Sequence, residues 1–116
     1  MQTVESYAND AYRYAKKAYY SDNLDDAQYY ARKAKNSASD AESYTSNAAS
    51  YAVDCGCDDG EYYAYNAQSY ANDAYRYAKK AYYSDNLDDA QYYARKAKNS
   101  ASDAESESSS GQYICE

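Results

Sequence analysis

Residues 6–43 of this 116-residue chain recur without a single change as residues 69–106, an offset of 63 positions or nine heptads. A period of this kind sets architecture before any local propensity does. Within each copy a seven-residue phrase, Tyr-Ala-x-x-Ala-x-x, starts at Tyr7, Tyr14 and Tyr30, and it starts again between the copies at Tyr63. Val4, Ala8, Ala11, Ala15 and Ala18 alternate spacings of four and three, the a/d rhythm of packed helices. With those positions at a and d, Tyr7 and Tyr14 fall at g, and Tyr12 and Tyr19 at e. The apolar stripe therefore spans four heptad positions, wider than a two-stranded coiled coil needs. A wide stripe calls for a bundle.

The same rhythm breaks at Ser21-Asp22-Asn23 and resumes through Leu24, Ala27, Ala31, Ala34, Ala38 and Ala41. Asp22 or Asn23 is a good N-cap, and Asp25 and Asp26 suit the positive end of a helix dipole. A turn this short predicts that the first two helices are antiparallel neighbours. Pairing the last alanine of one helix with the first of the next matches Ala18 with Ala27, Ala15 with Ala31, Ala11 with Ala34 and Ala8 with Ala38. It sets Asp10 near Lys35, and Lys16 and Lys17 near the acidic start of the second helix. Cys55-Gly56-Cys57-Asp58-Asp59-Gly60 is the second break, and across it the rule matches Ala41 with Ala74. Ser84-Asp85-Asn86 is the third.

These breaks predict an all-α fold: an antiparallel, up-down-up-down four-helix bundle of two identical helical hairpins. Alanines at a and d form its seam, with flanking tyrosines. Residues 1–107 form the single domain, with hairpins over 3–54 and 61–107, and 108–116 are expected to be a flexible tail. The alternative packing is a short open solenoid of stacked hairpins; four wide stripes favour closure.

Composition explains the burden on tyrosine. The chain has 23 Ala and 20 Tyr but no Phe, Trp, His or Pro. Burial is worth about 25 cal/mol per Å² and an alanine methyl is small, so tyrosines, at roughly 150–250 Å² each when covered, must supply most of the buried area. Rings at g, namely Tyr7, Tyr14, Tyr30, Tyr70, Tyr77 and Tyr93, are expected to lie over the seam. Tyr20, Tyr29, Tyr83 and Tyr92 fall at f and Tyr65 at b, facing away from it. Exposed aromatic clusters mark partner surfaces, so those four f positions are the candidate interaction surface.

The stretch from Ala18-Tyr19-Tyr20 to Ala34 resembles a tetratricopeptide hairpin over about half of each copy, which implies peptide binding in a concave groove. The 63-residue period departs from that family's 34, and its glycine and proline positions are absent. Alanine at a and d is also similar to the alanine-zipper lipoproteins of bacterial envelopes. Those lack the hairpin plan and carry a lipidation cysteine that is missing here.

Chemistry has few places to reside. Without histidine, Ser-His and Cys-His nucleophile systems are impossible, and three glycines do not build a phosphate loop. The expectation is therefore no enzyme and no cofactor. A net charge of −7 with interspersed signs argues against nucleic acid. No run of 18 apolar residues exists to cross a membrane, and Met1-Gln2-Thr3-Val4 does not read as a secretory leader. Asp54, Asp58, Asp59 and Glu61 do not have EF-hand spacing, and helix capping accounts for half of them.

An up-down-up-down order returns Cys115 to the pole of Cys55 and Cys57, so Cys57–Cys115 is the candidate disulfide. Such a bridge closes a loop of about 60 residues, worth roughly 4 kcal/mol in the chain-entropy model. The reading is a structural or protein-interaction module, with a protein partner or self-association through tyrosine. One alternative is a redox or soft-metal protein using Cys55, Cys57 and Cys115. A further one is a designed or recombined repeat without an evolved partner.

Overall fold

Absent proline and an abundance of alanine, the strongest helix former, favour long uninterrupted helices, and the chain folds accordingly. The computed structural model describes residues 4–56 and 58–111. They form α1 (Val4–Tyr19), α2 (Leu24–Cys55), α3 (Asp58–Tyr82) and α4 (Leu87–Gly111), with no strand among the described residues. Its longest dimension is 48 Å, the length that 32 residues of α2 span at about 1.5 Å each.

Each helix end has a local cause. In the first turn Ser21 donates its hydroxyl to the Lys17 carbonyl at 2.7 Å, and its backbone N–H bonds Ala18 at 3.2 Å. Asn23 is the cap that opens α2: its Oδ1 accepts the Asp26 N–H at 2.8 Å, while its amide donates to the Asp26 carboxylate at 3.0 Å. This satisfies a donor that a bare helix start leaves orphaned. The second copy repeats both devices at Ser84, Asn86 and Asp89 with the same lengths. The middle connection is shorter than the six-residue loop expected from the sequence. Gly56, at φ +74°, ends α2 in the left-handed conformation that glycine adopts most readily, and α3 begins at Asp58.

Consecutive helices pack on one another, and α1 packs on α4 about as closely as on α2, while the diagonal pairs touch little. The four helices thus make a closed circuit rather than an open stack. Every buried apolar residue among the described residues is an alanine, and the largest fully buried side chain is Thr45. The alanines cluster in fours, one from each helix: Ala8, Ala41, Ala71 and Ala104, then Ala11, Ala38, Ala74 and Ala101. Next come Ala15, Ala34, Ala78 and Ala97, and finally Ala18, Ala31, Ala81 and Ala94.

This register differs by one step from the pairing drawn from the sequence. Ala18 meets Ala31 rather than Ala27, Ala8 meets Ala41 rather than Ala38, and Ala41 meets Ala71 rather than Ala74. The cause is Ser21. It is buried, as is its copy Ser84, so the run of small inward residues continues past Ala18 into the turn. The register leaves Ser21 level with Ala27, itself fully buried. Two polar contacts lock this pole across the hairpins. Gln28 donates to the Ser84 carbonyl at 2.9 Å, and Gln91 donates to the Ser21 carbonyl at 3.0 Å. Toward the other pole Asn9 donates to Glu105 at 3.1 Å, and Asn72 to Glu42 at 3.2 Å.

The helix α4 runs four residues beyond the expected boundary at 107, through Gly111. Ser108 fits this course because its hydroxyl bonds the Ala104 carbonyl at 2.8 Å, a back-bond a helix tolerates. The remainder of the expected tail, 112–116, lies outside the described residues.

Candidate interaction surface

The tyrosines around the buried alanine clusters fall into two tiers. The inner tier lies on the alanine layers: Tyr7 and Tyr70 on the first, Tyr12 and Tyr75 on the second, Tyr14 and Tyr77 on the third. Tyr19, Tyr30, Tyr82 and Tyr93 cover the fourth. These are the g and e positions. All are half-buried, with an apolar ring on the layer and a phenol end able to reach water.

The outer tier comprises the rings the heptad turns away. Tyr20 and Tyr83 are each 65% exposed, and Tyr29 and Tyr92 each 47%. They flank the two hairpin turns. Each leans edge-on or tilted against its inner neighbour, with centroids 4.8 Å apart for Tyr19–Tyr20 and Tyr82–Tyr83, 5.1 Å for Tyr29–Tyr30 and 5.2 Å for Tyr92–Tyr93. Edge contacts suit the ring quadrupole. Tyr65 at b is also exposed, and so are Tyr62 and Tyr44. Tyr62 occupies f in the register of α3, which is the signal that would have found it. Tyr44 sits at g but beyond the duplicated block, stacked on Tyr7 at 5.1 Å.

Basic side chains lie over this aromatic surface. Lys17 bridges Tyr14 and Tyr30 at 5.9 and 5.6 Å, and Lys33 bridges Tyr14 and Tyr29 at 5.7 and 5.2 Å. The second copy repeats this with Lys80 and Lys96 on Tyr77, Tyr93 and Tyr92. Between hairpins Lys35 sits 5.5 Å from the Tyr82 ring and Lys98 5.4 Å from Tyr19. Each contact is worth about 0.5–1 kcal/mol at an exposed site. The carboxylate pairings are weaker: Asp10 with Arg13 at 4.0 Å and Asp73 with Arg76 at 3.8 Å, each with its arginine exposed to solvent, a class that contributes little.

Tyr7 is held neutral above the usual phenol range, first by burial, then by its hydrogen bond to Tyr44, then by negative charge at Tyr44, Asp40 and Asp10. The unfolded chain ionises this phenol near pH 10 and the folded chain only above that. Its contribution to stability is therefore complete below about pH 10 and is lost as pH rises through the raised value. Alkaline titration followed by circular dichroism is expected to show cooperative loss of helix above about pH 10, with the midpoint moved upward in Tyr7→Phe. An unchanged midpoint would separate Tyr7 from the transition.

Among the described residues no cluster of three or more His, Cys, Asp or Glu side chains is placed to hold a metal ion. The candidate disulfide residues Cys57 and Cys115 lie outside the described residues, as does the side chain of Cys55. A shallow groove lined by Glu42, Ser43, Ser46, Asn47 and Gln68 is polar and open, without converging charge. Among the described residues no helix is long and apolar enough to cross a membrane. Comparison with protein-family models, with curated proteins and with solved structures finds no match.

Proposed function

We propose that this protein is a non-enzymatic structural or interaction module that self-associates through its tyrosines. Its scaffold on this reading is an antiparallel, up-down-up-down bundle of two identical hairpins, with an alanine seam at a and d. The observation that carries the proposal is the outer tier at the turn pole, where Tyr20, Tyr29, Tyr83 and Tyr92 are 47–65% exposed while their neighbours cover the core. Tyrosine offers large contact area with little rotamer entropy to lose, and it is enriched where proteins bind proteins. Lysines and arginines beside these rings supply charge that a second, net-acidic copy of the chain complements. The absence of histidine supports a role without nucleophilic or general-base catalysis, and the net charge of −7 disfavours nucleic acid as a partner.

Sedimentation velocity across a concentration series tests this. The intact protein is expected to associate, and a variant with all four of these tyrosines changed to serine is expected to remain monomeric with unchanged helix content. Association that survives the four substitutions, or none in the intact protein, would sink the proposal.

A further inference from the structure

The polar contacts between the two hairpins come in reciprocal pairs. Asn9–Glu105 is matched by Asn72–Glu42, Lys35–Tyr82 by Lys98–Tyr19, and Gln28–Ser84 by Gln91–Ser21. In each case the second contact is the first with its hairpins exchanged at the 63-residue offset. Every residue involved lies inside the duplicated block. The alanine layers obey the same rule, each taking two alanines from one hairpin and their two copies from the other. The contact of α1 with α4 and that of α2 with α3 are thus one surface met twice. This is the isologous geometry of a two-fold homodimer, contained in a single chain.

A surface that recognises its own copy does not distinguish the hairpin attached to it from one belonging to another molecule. We propose that two copies of this chain exchange hairpins, the partner being a second copy of the same protein bound through the surface that closes the monomer. The proposal rests on the bundle reading above. In dilute solution the attached hairpin wins, because a short connection holds it at an effective concentration on the order of millimolar. Chains that refold together at comparable concentration have an equal choice.

Gly56 is the hinge. It has the only positive φ among the described residues, at +74°, and a Cβ placed there would meet nothing within 4 Å. Gly56→Ala therefore acts through the backbone alone: it strains the reversed connection of the monomer. An exchanged dimer, whose connection extends, escapes that strain.

The full chain, with its thiols kept reduced, is unfolded in guanidinium and refolded at low micromolar and at about millimolar concentration, then weighed by light scattering. Dilute refolding is expected to return monomer. Concentrated refolding is expected to return a dimer that persists on dilution, with its fraction raised about fivefold by Gly56→Ala. With Tyr20, Tyr29, Tyr83 and Tyr92 changed to serine, isotopically light and heavy chains are expected to form mixed dimers when refolded together and not when mixed already folded. The same dimer is expected from the variant with Tyr20, Tyr29, Tyr83 and Tyr92 changed to serine, which separates exchange from association through the outer rings. Monomer alone under both conditions, in the intact protein and in Gly56→Ala, would overturn exchange. So would a dimer of the four-serine variant that assembles from folded chains without unfolding.

Discussion

The double substitution Ala31→Leu with Ala94→Leu is expected to leave the chain unfolded at room temperature, whereas serine at both positions leaves it folded. The two residues share a layer with Ala18 and Ala81, and none of the four is more than 1% exposed. Each leucine adds three carbons where four methyls already fill the space. One such overpacking typically costs about 1–3 kcal/mol, and two in a single layer compete for the same room rather than acting independently. A domain whose buried apolar residues, among those described, are all alanine is expected toward the lower part of the usual stability range of about 5–15 kcal/mol. Serine is close to alanine in volume, and its hydroxyl has an outlet: Ser21, Ser84 and Ser108 already bond the carbonyl four residues earlier. Thermal melts of the single variants Ala31→Leu and Ala78→Leu grade the effect, at about 4–8 °C for each kcal/mol. Leucine variants that melt with the parent would show that the helices do not approach closely at these alanines.

The second large effect is expected at the turn pole. Gln28→Ala combined with Gln91→Ala removes the donors to both turn carbonyls, Ser84 and Ser21, and is expected to lower stability by about 2 kcal/mol, at roughly 1 kcal/mol per bond. Gln28→Glu is the sharper probe. It keeps the shape, removes the donor, and turns a carboxylate toward a carbonyl oxygen, so it is expected to exceed Gln28→Ala in effect. The two bonds lie in equivalent surroundings, so each single variant is expected to shift the urea midpoint by the same amount. Unequal shifts would mean that the two hairpins are not held alike. An effect of Gln28→Glu no larger than that of Gln28→Ala would mean that the bond contributes nothing.

Much of this was legible because a heptad repeat speaks about faces. The period placed the helices and their breaks, and it separated the rings at g and e from those at f. Tyr20, Tyr29, Tyr83 and Tyr92 could be named before any coordinate was known. Register was not legible in the same way. Pairing alanine with alanine assumes that the inward run ends with the last alanine, whereas a serine of nearly equal size extends it into the turn, and nothing in composition marks Ser21 as buried. Nor does charge alternation reveal that Lys17, Lys33 and Lys35 lie on aromatic rings, since ammonium and carboxylate patterns look the same whether the cation meets a carboxylate or a π face. At Ser108 a polar run suggested fraying, yet a hydroxyl that bonds its own helix permits continuation.

The paired rings have an optical consequence. With 20 tyrosines and no tryptophan, the chain absorbs and emits near-ultraviolet light through phenols alone, and no indole drains the excitation. Centroids 4.8–5.4 Å apart within the doublets allow energy absorbed by one ring to migrate to the next before emission. Each hop rotates the emitting dipole, so the light leaves the folded chain depolarised. The protein therefore carries its own reporter of ring packing, readable without a dye.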